Sequence, residues 1–405
     1  MNILIINHYA GSPTLGMEFR PYYMAREWLK MGHQTRIVGA SFSHLRKTQP
    51  SVKQETIDGI SYSWIKTNSY HGNGLGRIRS MFAFIGKLLL GYKRLLRDFV
   101  PDVVIASSTY PLDNYVAYRI ARHYGAKMVY EIHDLWPLSP MELGGYSANH
   151  PFIRVMQRAE DFAYRHCDAV VSMLPKAAGH CTEHGLPVDK FFYVPNGIVE
   201  EDWANPAPLP DEHRRLVEKL RGEGRFLVGY LGGHALSNAL DTLLDTAKIV
   251  SSDNIGFVLV GDGAEKENLM RRASEEHIEN VYFLPAIPKA AAPEFLKEMD
   301  ALYIGWKRNP LYRFGISPNK IYDYMMAGKP VIHSVEAGND PVAEANCGLS
   351  AEAENPQSIA NALTQMMQLS PAERQELGMN GKRFVLANHT YSVLAQRFID
   401  CLEKL

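Results

Sequence analysis

Met1-Asn-Ile-Leu-Ile-Ile-Asn-His8 runs into a polar loop carrying Gly11, Ser12 and Gly16, and then into a stretch from Pro21 to Met31 closed by Gly32. The order is strand, turn, helix. Ile3 to Ile6 form an apolar run too short for a helix and suited to a strand covered on both faces. The two loop glycines either permit a sharp turn or let backbone N–H groups approach an anion. The loop is not G-x-G-x-x-G, so it does not by itself specify a dinucleotide.

The same alternation repeats outward from this stretch. Short apolar strands are expected at 35–39, 103–106, 127–132, 169–172 and 192–195, with helices at 117–123 and 152–165 and a long basic helix before Val103. An acidic, proline-rich run over 200–210 reads as a linker. A second series follows, with strands at 226–231, 256–260, 281–284, 301–304 and 331–334 and helices near 266–273, 293–299 and 319–326. Three terminal helices are expected at 356–367, 371–387 and 392–404. Strands alternating with helices predict parallel sheets, with ligands beyond the carboxyl ends of the strands. With 405 residues the chain exceeds one ordinary core. The expected division is 1–200, 201–385, and a closing segment 386–405 that packs back on the first domain.

Composition narrows the function. Forty-three Lys and Arg against 44 Asp and Glu leave a formal charge of -1, which gives no electrostatic footprint for nucleic acid. Cys167, Cys181, Cys347 and Cys401 have no CxxC spacing and suit free thiols of a reducing compartment. The N-terminus lacks a basic leader and a cleavage site, and no apolar run reaches the roughly 18 residues of a bilayer span. A cytoplasmic protein, peripheral to the membrane at most, is expected. The acid-free run 77–97 has the composition to lie on anionic lipid, and equally that of a core helix with a solvated basic edge.

The segment Phe314-Gly-Ile-Ser-Pro-Asn-Lys-Ile-Tyr-Asp-Tyr-Met-Met-Ala-Gly-Lys-Pro-Val-Ile332 carries the most chemistry. Pro318 and Asn319 introduce a helix, Lys320 sits near its start, and Asp323 lies three residues on, on the same face. A cation for phosphate and a carboxylate for ribose hydroxyls suit the two ends of a nucleotide diphosphate. Charges favoured by helix capping would suffice as a bland alternative.

At this point the chain resembles the retaining glycosyltransferases of family 4, in particular the bacterial branch that builds surface polysaccharides and is similar to N-acetylfucosamine-type transferases. The resemblance runs over essentially the whole chain. It rests on Tyr130-Glu-Ile-His-Asp-Leu-Trp-Pro137, Val194-Pro-Asn-Gly197, Val260-Gly-Asp-Gly263, Ser317-Pro-Asn-Lys-Ile-Tyr-Asp-Tyr-Met325 and Gly328-Lys-Pro-Val331. It implies the α/β architecture called GT-B, two Rossmann-like domains facing across a cleft, with the donor held by the C-terminal domain and the acceptor by the N-terminal one. It further implies His133 as the catalytic contact to the donor sugar, Gly16 beside donor phosphate, the backbone of Pro285 and Ala286 reading the base, and Asp323 on the ribose.

Two family features lack a match. The first of two donor-site acids falls on Gly315, and the Arg and Lys that usually clamp the diphosphate are missing from 229–239. Gly232 and Gly233 are then left to expose backbone donors, with His234 as a conditional charge, and Lys320, Arg313 and Ser317 to complete the donor site. No Asp-x-Asp triplet is present, so metal-independent transfer without a cofactor is expected. The expected reaction moves a sugar, by resemblance a UDP-linked N-acetylhexosamine or deoxyaminosugar, to a lipid-linked saccharide. A sugar-nucleotide epimerase and a non-catalytic nucleotide-sugar-binding protein are the alternatives.

Overall fold

The computed structural model describes residues 1–72, 74–252 and 254–405. The chain divides into two compact units, one formed by Met1–Asn196 with Tyr391–Leu405 and the other by Gly197–Thr390. The segment 200–210, expected to link domains, thus lies wholly within the second unit, where it holds a 3-10 turn, Glu200–Trp203.

The strands of the first unit are β1 (Asn2–Ile6), β2 (Gln34–Ala40), β3 (Gln54–Ile57), β4 (Ile60–Ile65), β5 (Val103–Ala106), β6 (Lys127–Ile132), β7 (Ala169–Ser172) and β8 (Phe191–Tyr193). They form one sheet in the order β3-β4-β2-β1-β5-β6-β7-β8, parallel except for the hairpin β3-β4. β5 and β7 are buried at every position, as strands covered on both faces must be. The hairpin was absent from the sequence reading. It turns at Asp58-Gly59, with Asp58 at φ 48° and Gly59 at φ 83°, and Asp-Gly is a recognised two-residue hairpin signal. The closing helix Tyr391–Leu402 belongs to this unit, where Ala395 O accepts a hydrogen bond from Trp28 Nε1 at 3.1 Å.

The second unit holds β9 (Phe226–Leu231), β10 (Ile255–Val260), β11 (Val281–Leu284), β12 (Ala301–Gly305), β13 (Val331–Ser334) and β14 (Gly348–Ser350). All are parallel, in the order β11-β10-β9-β12-β13-β14. Numbered within the unit this is 3-2-1-4-5-6, the doubly wound order, with its switch point between β9 and β12. Side chains alternate between two cores. Phe257, Leu259, Ala301 and Tyr303 enter one, and Val258, Val260, Leu302 and Ile304 the other. Period-two burial on both faces requires helices on both sides. Both sheets end their central strands where loops carrying the candidate residues begin.

Candidate active site

In the first unit, three strand ends supply one buried network. β6 presents Glu131 within the strand and His133 just after it, β5 is followed by Ser107, and β1 by Asn7. Glu131 accepts hydrogen bonds from Ser107 Oγ at 2.6 Å and from Arg20 Nε at 2.9 Å. His133 Nε2 lies 3.2 Å from Glu131 and 2.9 Å from Ser107 Oγ. Asn7 Nδ2 donates to Ser107 O at 2.7 Å. Burial alone would push the Glu131 carboxyl up, but the Arg20 charge and the bonds from His133 and Ser107 outweigh it and hold the group below the usual carboxylate range. With Glu131 ionised, the network assigns the imidazole proton to Nε2. Nδ1 then keeps its lone pair and makes no hydrogen bond among the described residues.

The Arg20 side chain is only 1% exposed. Beyond Glu131, its guanidinium donates to Val194 O at 2.9 Å and Pro195 O at 2.6 Å. It ties the helix Arg20–Lys30 to the last loop of the sheet. Gly16 is buried at φ 110°, where a Cβ would lie 2.8 Å from Lys47 N, so the close backbone packing demands glycine. Glu18 accepts from Arg20 N at 3.4 Å. Asp134 accepts from Ser139 Oγ at 2.6 Å and Leu135 N at 2.9 Å, bonds that fix the turn after His133. Sequence reasoning passed over Glu131, Ser107 and Asn7. Glu131 lies two residues before the named histidine, but its burial was not legible.

In the second unit, the turn after β9 and the helix Asn319–Met326 meet. Lys320 Nζ donates to Tyr230 Oη at 2.8 Å and stands 4.1 Å from the centre of that ring. Tyr230 Oη donates onward to Gly233 O at 2.6 Å. A Cβ on Gly232 would fall 2.6 Å from Lys320 Nζ, so glycine there is what admits the ammonium. No acid pairs with Lys320 among the described residues, and burial pushes its pKa down to about 7. Asp323, three residues on, makes no side-chain hydrogen bond among the described residues. Burial, eased by the Lys289 charge, pushes its carboxyl up to about 7. A cation and a carboxylate held on one helix face without ion-pair partners among the described residues form a receptor for a ligand that brings the missing charges.

His234 is placed differently from the expectation of a charge in the clamp. Its ring is buried, and neither ring nitrogen has a partner among the described residues. Burial, then Lys266 and Lys320, lower its pKa to about 4, so the ring is neutral at pH 7. His234 N donates to Asp262 O at 2.8 Å, and Asp262 Oδ1 accepts from Gly263 N at 2.8 Å, so Asp262 shapes the turn. Gly233 is the exposed glycine of this turn.

Pro285 and Ala286 follow β11. Pro285 O accepts from His213 Nε2 at 2.9 Å, a histidine sequence reasoning did not single out. Ser317 Oγ is 3.2 Å from Tyr322 Oη. Arg313 is exposed on the 3-10 turn Pro310–Phe314, its guanidinium 4.4 Å from the Phe314 ring centre and donating to Pro310 O at 2.5 Å.

The run 77–97 forms most of the helix Leu75–Leu95. Its two faces differ in burial. Met81, Phe84, Leu88 and Tyr92 face the core, while Leu75, Phe82, Leu89 and Leu90 are exposed at 72, 47, 37 and 89%. Exposed Arg79, Lys87, Lys93 and Arg94 share the outer side. No helix among the described residues is long and apolar enough to cross a membrane.

The profile of the glycosyl transferase 4-like domain matches residues 16–197, and that of the glycosyl transferases group 1 matches residues 225–369. The chain is 20% identical over 409 residues to the probable glycosyltransferase WbjE of Pseudomonas aeruginosa, covering 100% of this chain and 98% of that protein. Among solved structures, sucrose-phosphate synthase of Thermosynechococcus elongatus superposes with a TM-score of 0.74 at 15% identity, covering 100% of this chain and 98% of that one. Anabaena HepE in complex with UDP-glucose superposes at 0.68 with 14% identity and full coverage of both chains.

Proposed function

Since this chain is a glycosyltransferase of the GT-B fold, we propose that it transfers a UDP-linked N-acetylhexosamine or deoxyaminosugar, with retention of configuration, to a lipid-linked saccharide in polysaccharide biosynthesis. The observation that carries the donor assignment is the pair Lys320 and Asp323, neither with an ion-pair partner among the described residues, at the carboxyl edge of a 3-2-1-4-5-6 sheet. HepE, a full-length structural relative, binds UDP-glucose. Lys320 and the backbone of Gly232 and Gly233 take the diphosphate, with Arg313 and Ser317 beside them, Asp323 the ribose, and the backbone of Pro285 and Ala286 the base.

His133 acts on the donor sugar. Its Nδ1 makes no hydrogen bond among the described residues and can accept one from a sugar hydroxyl, while Glu131 holds the ring in place through Nε2. The departing phosphate accepts the proton of the attacking hydroxyl on the same face of the sugar, which leaves configuration retained and requires no pair of opposed carboxylates. The charge on the diphosphate is met by Lys320 and backbone donors, in a reaction that uses no metal. Mass spectrometry of purified enzyme with UDP-, GDP- and dTDP-sugars and polyprenyl-linked acceptors tests the proposal. Transfer from a UDP-aminosugar is expected, and exclusive use of another nucleotide would overturn the donor assignment.

Lys320→Ala is expected to weaken UDP binding by roughly 1.5–2 kcal/mol, about 10- to 30-fold, and uridine binding little. The lower part of the charge-assisted range applies because the ammonium is about half-titrated at pH 7. A lowered lysine pKa means charge is lost as pH rises through 7. The ratio of UDP to uridine affinity therefore falls between pH 7 and 9, above the titration of the terminal phosphate. In Lys320→Ala that slope disappears. Equal calorimetric titrations for the two proteins would remove Lys320 from the diphosphate site.

The outer face of Leu75–Leu95 docks on the anionic cytoplasmic leaflet, which brings the enzyme to a lipid-linked acceptor. Leucines and basic residues together suit an acyl-headgroup boundary. Arg79→Glu/Arg94→Glu is expected to lower partitioning onto phosphatidylglycerol vesicles by at least roughly 30-fold, from about 1 kcal/mol per lost basic charge. Unchanged co-sedimentation would remove the lipid role.

A further inference from the structure

Apart from the His133 network, the first unit holds a second cluster of titratable side chains that the reaction does not use. The helix Pro151–His166 contributes Gln157, Glu160 and Asp161. The short helix Ala178–Glu183 contributes His180 and ends on His184. Four residues apart, the two histidines fall on one face and meet the acids of the longer helix. Glu160 is 1% exposed and His180 9%, while His184 and Asp161 stay partly open at 30 and 25%.

Lone pairs converge here. His180 Nε2 is 2.9 Å from Glu160 Oε1, and His184 Nδ1 is 3.0 Å from Asp161 Oδ1. Gln157 Nε2 donates to Glu160 Oε2 and Asp161 Oδ1, each at 2.8 Å, and lies 3.0 Å from His184 Nδ1, so one amide nitrogen touches three of the four titratable side chains. One ligand atom each from Glu160, His180 and His184 lie within 4.8 Å of one another. Zinc bonds of about 2.0–2.2 Å set tetrahedral edges near 3.4 Å, within a small side-chain adjustment of this arrangement.

We propose that Glu160, His180 and His184 bind one divalent transition ion of borderline softness, zinc above all, as a structural clip between the two helices. Two imidazoles and a carboxylate are a zinc donor set, and Asp161 or water completes it. The clip shares no residue with Glu131, His133 or Ser107 and supplies stability rather than chemistry.

The test uses the full chain, stripped with a chelator and titrated with ZnCl2 against a chromophoric competitor, with metal content and thermal melting as readouts. One zinc per chain is expected to bind saturably and raise the melting temperature. His184→Gln, at a partly exposed position, is expected to fold as the stripped wild type does, to lose at least about 10-fold in zinc affinity and to lose the melting increment. His180→Gln should do the same. Transfer activity is expected to be equal in stripped and zinc-loaded enzyme. Absence of saturable binding, or a melting increment equal in wild type and His184→Gln, would overturn the site and leave Glu160, His180 and His184 as a hydrogen-bonded network only.

Discussion

Turnover of His133→Ala is expected to fall about 100-fold, roughly 2.7 kcal/mol of transition-state stabilisation, while UDP affinity changes little. The separation follows from where the parts sit. His133 belongs to the first unit's network, and the proposed nucleotide contacts Lys320 and Asp323 belong to the second unit. Removing the imidazole deletes the free Nδ1 and leaves Glu131 bonded to Arg20 and Ser107, so the fold should survive. Glu131→Gln provides a graded companion, since it retains the shape but removes the ionised acceptor that keeps the imidazole proton on Nε2, and should lower turnover less. Turnover within a few-fold of wild type in folded His133→Ala, measured under donor saturation, would dismiss the histidine from the chemistry.

Arg20→Met is expected to destabilise the first unit by about 3–5 kcal/mol, because it strands a buried carboxylate and leaves the Val194 and Pro195 carbonyls without their donor. For a unit of this size that lowers the melting temperature by roughly 6–20 °C. The pH dependence has a definite sign. Glu131 is held below its ordinary value, so its contribution is complete above the unfolded carboxyl pKa of about 4.3 and is lost as pH falls below it. Without Arg20, burial raises the same carboxyl, and its protonation relieves the variant as pH falls from 7 toward 4. The melting gap between the two proteins should therefore narrow on acidification. A gap constant across that range, measured by scanning calorimetry, would mean that the ion pair is not what the variant has lost.

The fold was legible wherever a strand carried consecutive apolar residues. Val103–Ala106, Lys127–Ile132, Ala169–Ser172, Phe226–Leu231, Val281–Leu284 and Val331–Ser334 fall at the residues expected. The hairpin Gln54–Ile65 escaped because its strands mix polar and apolar residues at a sheet edge, leaving only the Asp-Gly turn as a signal. β14 escaped because three residues carry no periodicity. Lys320 and Asp323 were legible because helical spacing alone puts them on one face. The brace behind His133 was not, since Arg20 and Glu131 are 111 residues apart and nothing local marks either as buried. His234 marks a further limit, since the sequence placed it on the correct turn but could not tell that its ring folds inward.

The turn after β9 also decides what an engineer could change. It interlocks with the turn after β10, since a Cβ on Gly261 would lie 1.9 Å from Gly232 O, and one on Gly263 would lie 2.5 Å from His234 O. Gly261 and Gly263 face backbone and tolerate no side chain, while a Cβ on Gly232, at φ 155°, would displace the Lys320 ammonium. Gly233 is different, because its added Cβ would meet only Asp262 O, at 3.8 Å. A library aimed at a new donor would hold Gly232, Gly261 and Gly263 fixed and spend its diversity on Gly233 and the exposed residues that follow His234.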